Sequence, residues 1–218
     1  VRYSIENPSA YIDTNLVGFG NILEGCRQNR ISHLVYASSS SVYGSNAKLP
    51  FSEDDNVDHP ISLYAATKKA NELMAHAYSN LYGIKTIGLR FFTVYGPWGR
   101  PDMSPHIFTD SIINNKKIKI FNNGKHSRSF TYIDDIIESM YRLIDIDSLK
   151  FKKYLLLNIG GENPINLMNY ISLIENILSK KAKYEFLPRC YAEMDKTSSN
   201  TKMLSELIDY SPSTTIEE

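Results

Sequence analysis

Two residue types that can carry out proton transfer stand four positions apart in Tyr64-Ala65-Ala66-Thr67-Lys68. At that spacing, side chains lie on one face of a helix, one turn apart. A neighbouring ammonium favours the phenolate form of a tyrosine, so the pair could take a proton from a substrate hydroxyl. The serine run at 38–41 offers hydroxyl groups that could share that proton. Because the spacing alone is common by chance, the surrounding elements must support this interpretation.

This chemistry needs a helix beside the end of a strand. The pattern predicts a strand over 33–38, running into the serines, and a helix over 63–82 that ends at Gly83. Residues 8–27 are predicted as one earlier helix, beginning at Asn7-Pro8. The remaining predicted elements are strands at 85–91, 118–121, 154–158 and 183–187, and helices at 105–114, 132–144, 165–179 and 200–208. Such alternation is typical of βαβ units with a parallel sheet.

The composition excludes several classes of function. The 218 residues are 42% hydrophobic and 22% charged, with a formal net charge of zero. We therefore expect a globular protein with no nucleic-acid partner, and the apolar runs are too short for a membrane partner. Two cysteines indicate a reducing compartment, which predicts a cytoplasmic location. The five histidines are scattered, so no metal site is expected.

Four segments follow one another in an order that resembles a known family. They are Ser38-Ser39-Ser40-Ser41-Val42-Tyr43-Gly44, the Tyr64 to Lys68 pair, Leu89-Arg90-Phe91-Phe92-Thr93-Val94-Tyr95-Gly96-Pro97, and Arg128-Ser129-Phe130-Thr131-Tyr132-Ile133-Asp134-Asp135. The residues and the order of these four segments resemble those of the extended short-chain dehydrogenase/reductases, the NAD-dependent nucleotide-sugar epimerase/dehydratase family. The resemblance implies an α/β fold: a partial Rossmann-like, doubly wound parallel sheet without its first βαβ units, plus a small α/β substrate-binding lobe.

The same resemblance implies a division of the chain and the roles of its residues. Segments 1–97 and 129–160 would form the partial NAD-binding core, and segments 98–128 and 161–218 the lobe that binds the nucleotide sugar. Tyr64 would be the catalytic base, Lys68 would activate it and bind the nicotinamide ribose, and Ser39 would hydrogen-bond the reacting oxygen. The other implied contacts are Asn15 and Phe92 for NAD, Ser40, Ser41, Thr93 and Arg100 for the sugar and its carboxylate, Arg128 for the diphosphate, and Glu193 for the UDP ribose.

Within the family, segments 2–8, 62–72 and 92–103 are most similar to UDP-glucuronate 4-epimerases. This resemblance implies conversion of UDP-glucuronate to UDP-galacturonate through a 4-keto intermediate. A 4,6-dehydratase normally carries Asp-Glu after its catalytic hydroxyl residue, whereas this chain has Ser40-Ser41, without acid or base capacity. An epimerase of a neutral UDP-sugar stays open, although Arg100 favours an acidic sugar.

The chain also departs from the family. It contains no Gly-x-x-Gly-x-x-Gly turn, the segment that holds the pyrophosphate of NAD at a helix N-terminus. We therefore expect an N-terminally truncated epimerase with little or no activity by itself. The alternative is a non-catalytic remnant or a fragment that only binds UDP-sugars. By family pattern, the helices at 8–27 and 63–82 would pair two subunits in a four-helix bundle.

Overall fold

The computed structural model describes residues 1, 3–146, 153–188 and 194–218. Its α-helices are α1 (Tyr3–Glu6), α2 (Pro8–Tyr11), α3 (Phe19–Gln28), α4 (Leu63–Tyr82), α5 (Ser104–Ile113), α6 (Ile133–Ile144), α7 (Leu167–Leu178) and α8 (Lys202–Ile208). Its strands are β1 (His33–Ser39), β2 (Lys85–Phe91), β3 (Thr93–Tyr95), β4 (Lys117–Phe121), β5 (Ser127–Tyr132), β6 (Tyr154–Ile159), β7 (Pro164–Asn166) and β8 (Lys183–Leu187).

The largest sheet consists of three parallel strands in the order β1-β2-β6. Its middle strand is buried along most of its length, which explains why the sequence of β2 shows no polar alternation. Ile87, Leu89, Leu157 and Ile159 are fully buried and pack with side chains of α6 and α8. At the carboxyl ends of the strands, Ser38 pairs in register with Arg90, and Arg90 with Asn158. The polar residues of the sheet are therefore concentrated at one edge.

A second set of elements forms a smaller lobe. Strands β4 and β8 pair in parallel, and the buried side chains of β4, Ile118 and Ile120, pack with Ile112 of α5 and Ile171 of α7. A sheet of order β3-β5-β7 carries Arg128 on its middle strand. Helix α8, which the sequence analysis assigned to the lobe, packs on the core of the largest sheet. The predicted domain boundaries stay a prediction.

Helix α4 begins and ends where its sequence predicts. The Ser62 side chain accepts a hydrogen bond from the N–H of Ala65, and Gly83 closes the helix in the left-handed conformation at φ 73°. The predicted helix at 8–27 is helical but not uniform, because α2 and α3 are joined by a π-helical segment, Ile12–Gly18. Over the described residues, no helix is both long and apolar enough to cross a bilayer.

Candidate active site

A cleft of about 750 Å³ opens at the carboxyl ends of β1 and β2 and extends to the smaller lobe. Parallel α/β sheets bind ligands at this edge, and the volume lies in the range of small-molecule sites. Seven of the residues predicted from sequence line it: Ser39, Ser40, Ser41, Phe92, Thr93, Arg100 and Arg128. The structure therefore brings together hydroxyl groups from one segment and guanidinium groups from two others.

The serine run forms a tight turn at the mouth of the sheet. Ser39 is the last residue of β1, and its Oγ accepts a hydrogen bond from the N–H of Ser41 at 3.1 Å. This bond caps a short 3₁₀-helix, Ser40–Tyr43. Because the cap fixes the Ser39 side chain, its hydroxyl is held at the cleft wall and can donate its own proton to a bound ligand.

Lys68 reaches the same strand end from α4. Its Nζ donates a hydrogen bond to the carbonyl oxygen of Ala37, 3.1 Å away. Burial lowers the pKa of the Lys68 ammonium below its ordinary value. Tyr64, one turn earlier, packs edge-on against Tyr11, with ring centroids 5.9 Å apart, and Tyr11 lines the cleft. Tyr64 and Lys68 themselves are not among the residues that line the cleft. Among the described residues, no hydrogen bond joins the Tyr64 hydroxyl to Ser39 or Lys68.

Asn15 lies in the π-helical segment and contacts the residue beside Lys68. Its Nδ2 donates to Thr67 Oγ1 at 3.0 Å, and its carbonyl oxygen accepts from Asn71 Nδ2 at 2.6 Å. Single π-helical turns are frequent at functional sites. Asn15 is not among the residues that line the cleft.

Arg100 and Asp102 form an exposed pair on the loop after β3. The Arg100 guanidinium donates two hydrogen bonds to the Asp102 carboxylate, at 2.9 and 2.7 Å. This arginine lowers the pKa of Asp102, and the same hydrogen bonds raise the pKa of Arg100. The Arg100 side chain is 73% exposed, so a ligand can reach it. Its contact with Asp102 shows that the guanidinium can bind a carboxylate in this position.

Arg128 is more constrained than the sequence analysis expected. Its Nη1 donates to the carbonyl oxygens of Ser127 and Asp195, at 3.0 and 2.9 Å, and its Nη2 to that of Met194. Arg128 thus ties the segment that begins at Met194 to β5 while it lines the cleft. Glu193, the residue predicted to reach the UDP ribose, lies outside the described residues.

The cleft is electropositive. Among its described lining residues are four cationic side chains, Arg100, Lys117, Lys119 and Arg128, and one carboxylate, Asp102. Neither lysine was predicted from the sequence, although strand alternation on β4 places both on one exposed face. In the described part of the chain, no group of three histidines, cysteines or acidic residues could hold a metal ion. The site is therefore arranged for an anionic ligand.

Comparisons with known proteins show which family the chain is similar to. Residues 1–160 match the NAD dependent epimerase/dehydratase family. The whole chain is 50% identical to Protein CapI of Staphylococcus aureus, spanning 70% of that protein, and 43% identical to a probable UDP-glucuronate 4-epimerase of Rhizobium meliloti, spanning 68% of it. A solved UDP-glucuronic acid 4-epimerase of Bacillus cereus, in complex with UDP-glucuronic acid and NAD, superposes with a TM-score of 0.89 at 32% identity. That match covers 94% of this chain and 64% of the Bacillus chain.

The chain belongs to the NAD dependent epimerase/dehydratase family. Membership confirms the predicted α/β class with a Rossmann-type parallel sheet, and with it the predicted enzyme class, an NAD-dependent epimerase of UDP-sugars.

Proposed function

We propose that this chain carries the catalytic and sugar-binding part of a UDP-glucuronate 4-epimerase. The observation that supports this most is the electropositive cleft, in which the Ser39 to Ser41 turn and Thr93 share one wall with Arg100. Hydroxyl groups suit a sugar ring, and guanidinium groups suit a carboxylate and a diphosphate. The relatives whose names state this activity are 41–43% identical over the whole chain.

The residues around Lys68 fit the nicotinamide end of NAD. The desolvated Lys68 ammonium lies at the end of β1, with Asn15 bonded one residue away and Phe92 in the cleft wall. When bound, NAD accepts a hydride from the sugar carbon and returns it. The residues do the rest: Tyr64 takes and returns the hydroxyl proton, Lys68 favours its phenolate form, and Ser39 holds the reacting oxygen.

Arg100 is the group that distinguishes an acidic from a neutral sugar. A glucuronate carboxylate would replace Asp102 as the bidentate partner of the guanidinium, at a similar distance and with the same charge. A neutral sugar offers no such replacement, so the Arg100–Asp102 pair would stay intact. Lys117, Lys119 and Arg128 remain for the diphosphate.

Calorimetric titration tests the substrate assignment without any turnover. UDP-glucuronate should bind more tightly than UDP-glucose, and Arg100→Gln should abolish that preference while UDP-glucose binds as before. Asp102→Asn should increase the affinity for UDP-glucuronate, because it removes the competing carboxylate. Equal affinity for both nucleotide sugars in the wild type and in Arg100→Gln would favour the epimerase of a neutral UDP-sugar.

A second candidate function is binding of UDP-sugars without turnover. The 218 residues contain no Gly-x-x-Gly-x-x-Gly turn, and this observation favours that alternative for the chain taken alone. Tight binding of UDP-glucuronate with no conversion in the presence of NAD would support it.

We also propose a homodimer and a cytoplasmic location. Ile22 on α3 and Leu73 and Leu81 on α4 are exposed apolar side chains on the two helices expected to form the bundle. Analytical ultracentrifugation should show a dimer that Leu73→Glu dissociates. A monomer at micromolar concentration would contradict the dimer. The location follows only from the low cysteine content.

A further inference from the structure

A buried ion pair lies directly beneath the candidate site. Arg90 Nε and Nη2 donate to Glu72 Oε1 and Oε2, each at 2.9 Å, and the two side chains are 2% and 1% exposed. Burial by itself would lower the pKa of Arg90, but the hydrogen bonds and charge of Glu72 raise it above its ordinary value. Arg90 also donates to the Tyr43 hydroxyl at 3.1 Å, which in turn donates to Asn158 Oδ1 at 2.6 Å.

The pair is connected to the strand that carries the site. Ser38 Oγ donates to Glu72 Oε1 at 2.6 Å, so this carboxylate oxygen accepts hydrogen bonds from both Ser38 and Arg90. Lys68 stands one turn before Glu72 on α4 and binds the carbonyl of Ala37. One face of α4 therefore binds two consecutive residues of β1. Lys68 binds the carbonyl oxygen of Ala37, and Glu72 binds the side chain of Ser38. The next residue, Ser39, faces the cleft.

We propose that Glu72, held by Arg90, is a positioning residue that sets the end of β1, so that Ser39 faces the cleft and the Ala37 carbonyl meets Lys68. The signal in the sequence is a spacing of four: Tyr64, Lys68 and Glu72 share one helical face. The inference rests on the proposed function only in that Ser39 holds the reacting oxygen of a bound UDP-sugar and Lys68 supports Tyr64.

Stability alone does not account for the pair. Replacing a buried ion pair by apolar residues of similar volume is often neutral or stabilising. What an apolar pair cannot supply is the acceptor for Ser38 Oγ, because Ser38 is only 3% exposed to solvent. The specific contribution of Glu72 is therefore the orientation of β1.

Two serine variants of the full 218-residue chain separate positioning from packing. Ser38→Ala removes the bond to Glu72 and leaves the ion pair intact. Ser79→Ala is the matched control. Ser79 is a buried residue of α4, and its Oγ also donates one hydrogen bond of 2.6 Å, to the carbonyl oxygen of Lys153. Both substitutions should lower the melting temperature by a similar amount. Glu72→Met combined with Arg90→Met removes the pair without leaving a buried charge unpaired.

The decisive readout is the reactivity of the Lys68 amine, measured by competitive acetylation and peptide mass spectrometry over pH 7–10. In Ser38→Ala and in the double variant, a displaced Ala37 carbonyl no longer accepts from Lys68 Nζ, so the ammonium loses a stabilising hydrogen bond and the labelling rate at pH 8 should rise about threefold. Ser79→Ala should label like the wild type. Affinity for UDP-glucuronate should fall in the first two variants and not in the third.

Unchanged Lys68 labelling in both Ser38→Ala and the folded double variant would overturn the proposal, because the pair would then serve packing only. The labelling requires no ligand. If UDP-glucuronate bound to none of these proteins, the proposed function would fail, while the labelling would still decide the role of Glu72.

Discussion

The Lys68 ammonium donates to the Ala37 carbonyl at 3.1 Å, and no carboxylate pairs with it in the described part of the chain. Because burial lowers the pKa of this amine, the charged form is less favourable in the folded state than in the unfolded chain. Lys68 therefore does not stabilise the fold as an ion pair would, which is the behaviour expected of a residue retained for chemistry.

Lys68→Met should change the free energy of unfolding at pH 7 by less than about 1 kcal/mol, since one hydrogen bond is lost and one partly desolvated charge is removed. The unfolded chain binds more protons at this site, so wild-type stability should rise relative to Lys68→Met as the pH increases towards about 10.4, the ordinary lysine value. Urea unfolding at pH 7, 9 and 10 measures the difference. A loss above about 2 kcal/mol at pH 7 would mean that Lys68 is structural.

Gly88 on β2 must lack a side chain because of Tyr36. A Cβ at position 88 would lie 2.5 Å from the Tyr36 hydroxyl and 2.6 Å from Leu156 Cδ2. Gly88→Ala should cost about 1–3 kcal/mol of unfolding free energy in urea. The control is Gly25→Ala in α3, which meets nothing within 4 Å and should stabilise by about 0.5–1 kcal/mol. Equal effects of the two substitutions would show that the Tyr36 contact is not tight.

Glu175 should make the stability of the lobe depend on pH. Its carboxylate accepts bonds from Lys181 Nζ, the Ala182 N–H and the Tyr184 hydroxyl, at 2.8, 2.8 and 2.9 Å. These contacts, Lys181 first, lower the pKa of Glu175. A lowered carboxyl pKa contributes stability above the unfolded value of about 4.3, and this contribution is lost as the pH falls through the folded value.

Glu175→Gln should therefore cost about 1–3 kcal/mol at pH 7, because the amide oxygen accepts the N–H and hydroxyl donors without a charge and the amide NH2 cannot accept from Lys181. The cost should become progressively smaller below pH 4. Glu138→Gln is the control, because its pair with Arg142 is exposed and contributes less than about 1 kcal/mol. Urea unfolding at pH 3, 5 and 7 distinguishes the two. A difference between wild type and Glu175→Gln that did not shrink at low pH would contradict the assignment.

Local signals predicted the long elements well. The bounds of α4 and β2 agree with the structure to the residue, because Ser62 and Gly83 cap the two ends of the helix and β2 begins two residues after Gly83. The three-residue strands β3 and β7, and β5 between them, were not predicted. Their existence depends on pairing between distant segments, such as Thr93 with Phe130, that no local pattern records.

The sequence predicted which residues belong to the site, but not which partners their side chains contact. The motifs identified the serine turn, Thr93, Arg100 and Arg128 as one site, and these residues do share a cleft. The motifs did not indicate that Arg128 donates to main-chain carbonyl oxygens, or that Arg100 pairs with the carboxylate of Asp102. Such partners are brought together by the tertiary fold, as is the buried contact between Glu72 and Arg90.

The most direct test of the central claim is conversion of UDP-glucuronate to UDP-galacturonate, followed by chromatography of the nucleotide sugars. A chimera that carries the glycine-rich NAD-binding region of a family member before Val1 supplies the turn that these 218 residues lack. With NAD, the chimera should form UDP-galacturonate, Tyr64→Phe in it should be at least about 100-fold slower, and the 218-residue chain alone should form none. A chimera that binds both NAD and UDP-glucuronate but forms no product, or whose Tyr64→Phe variant is as fast, would contradict the account.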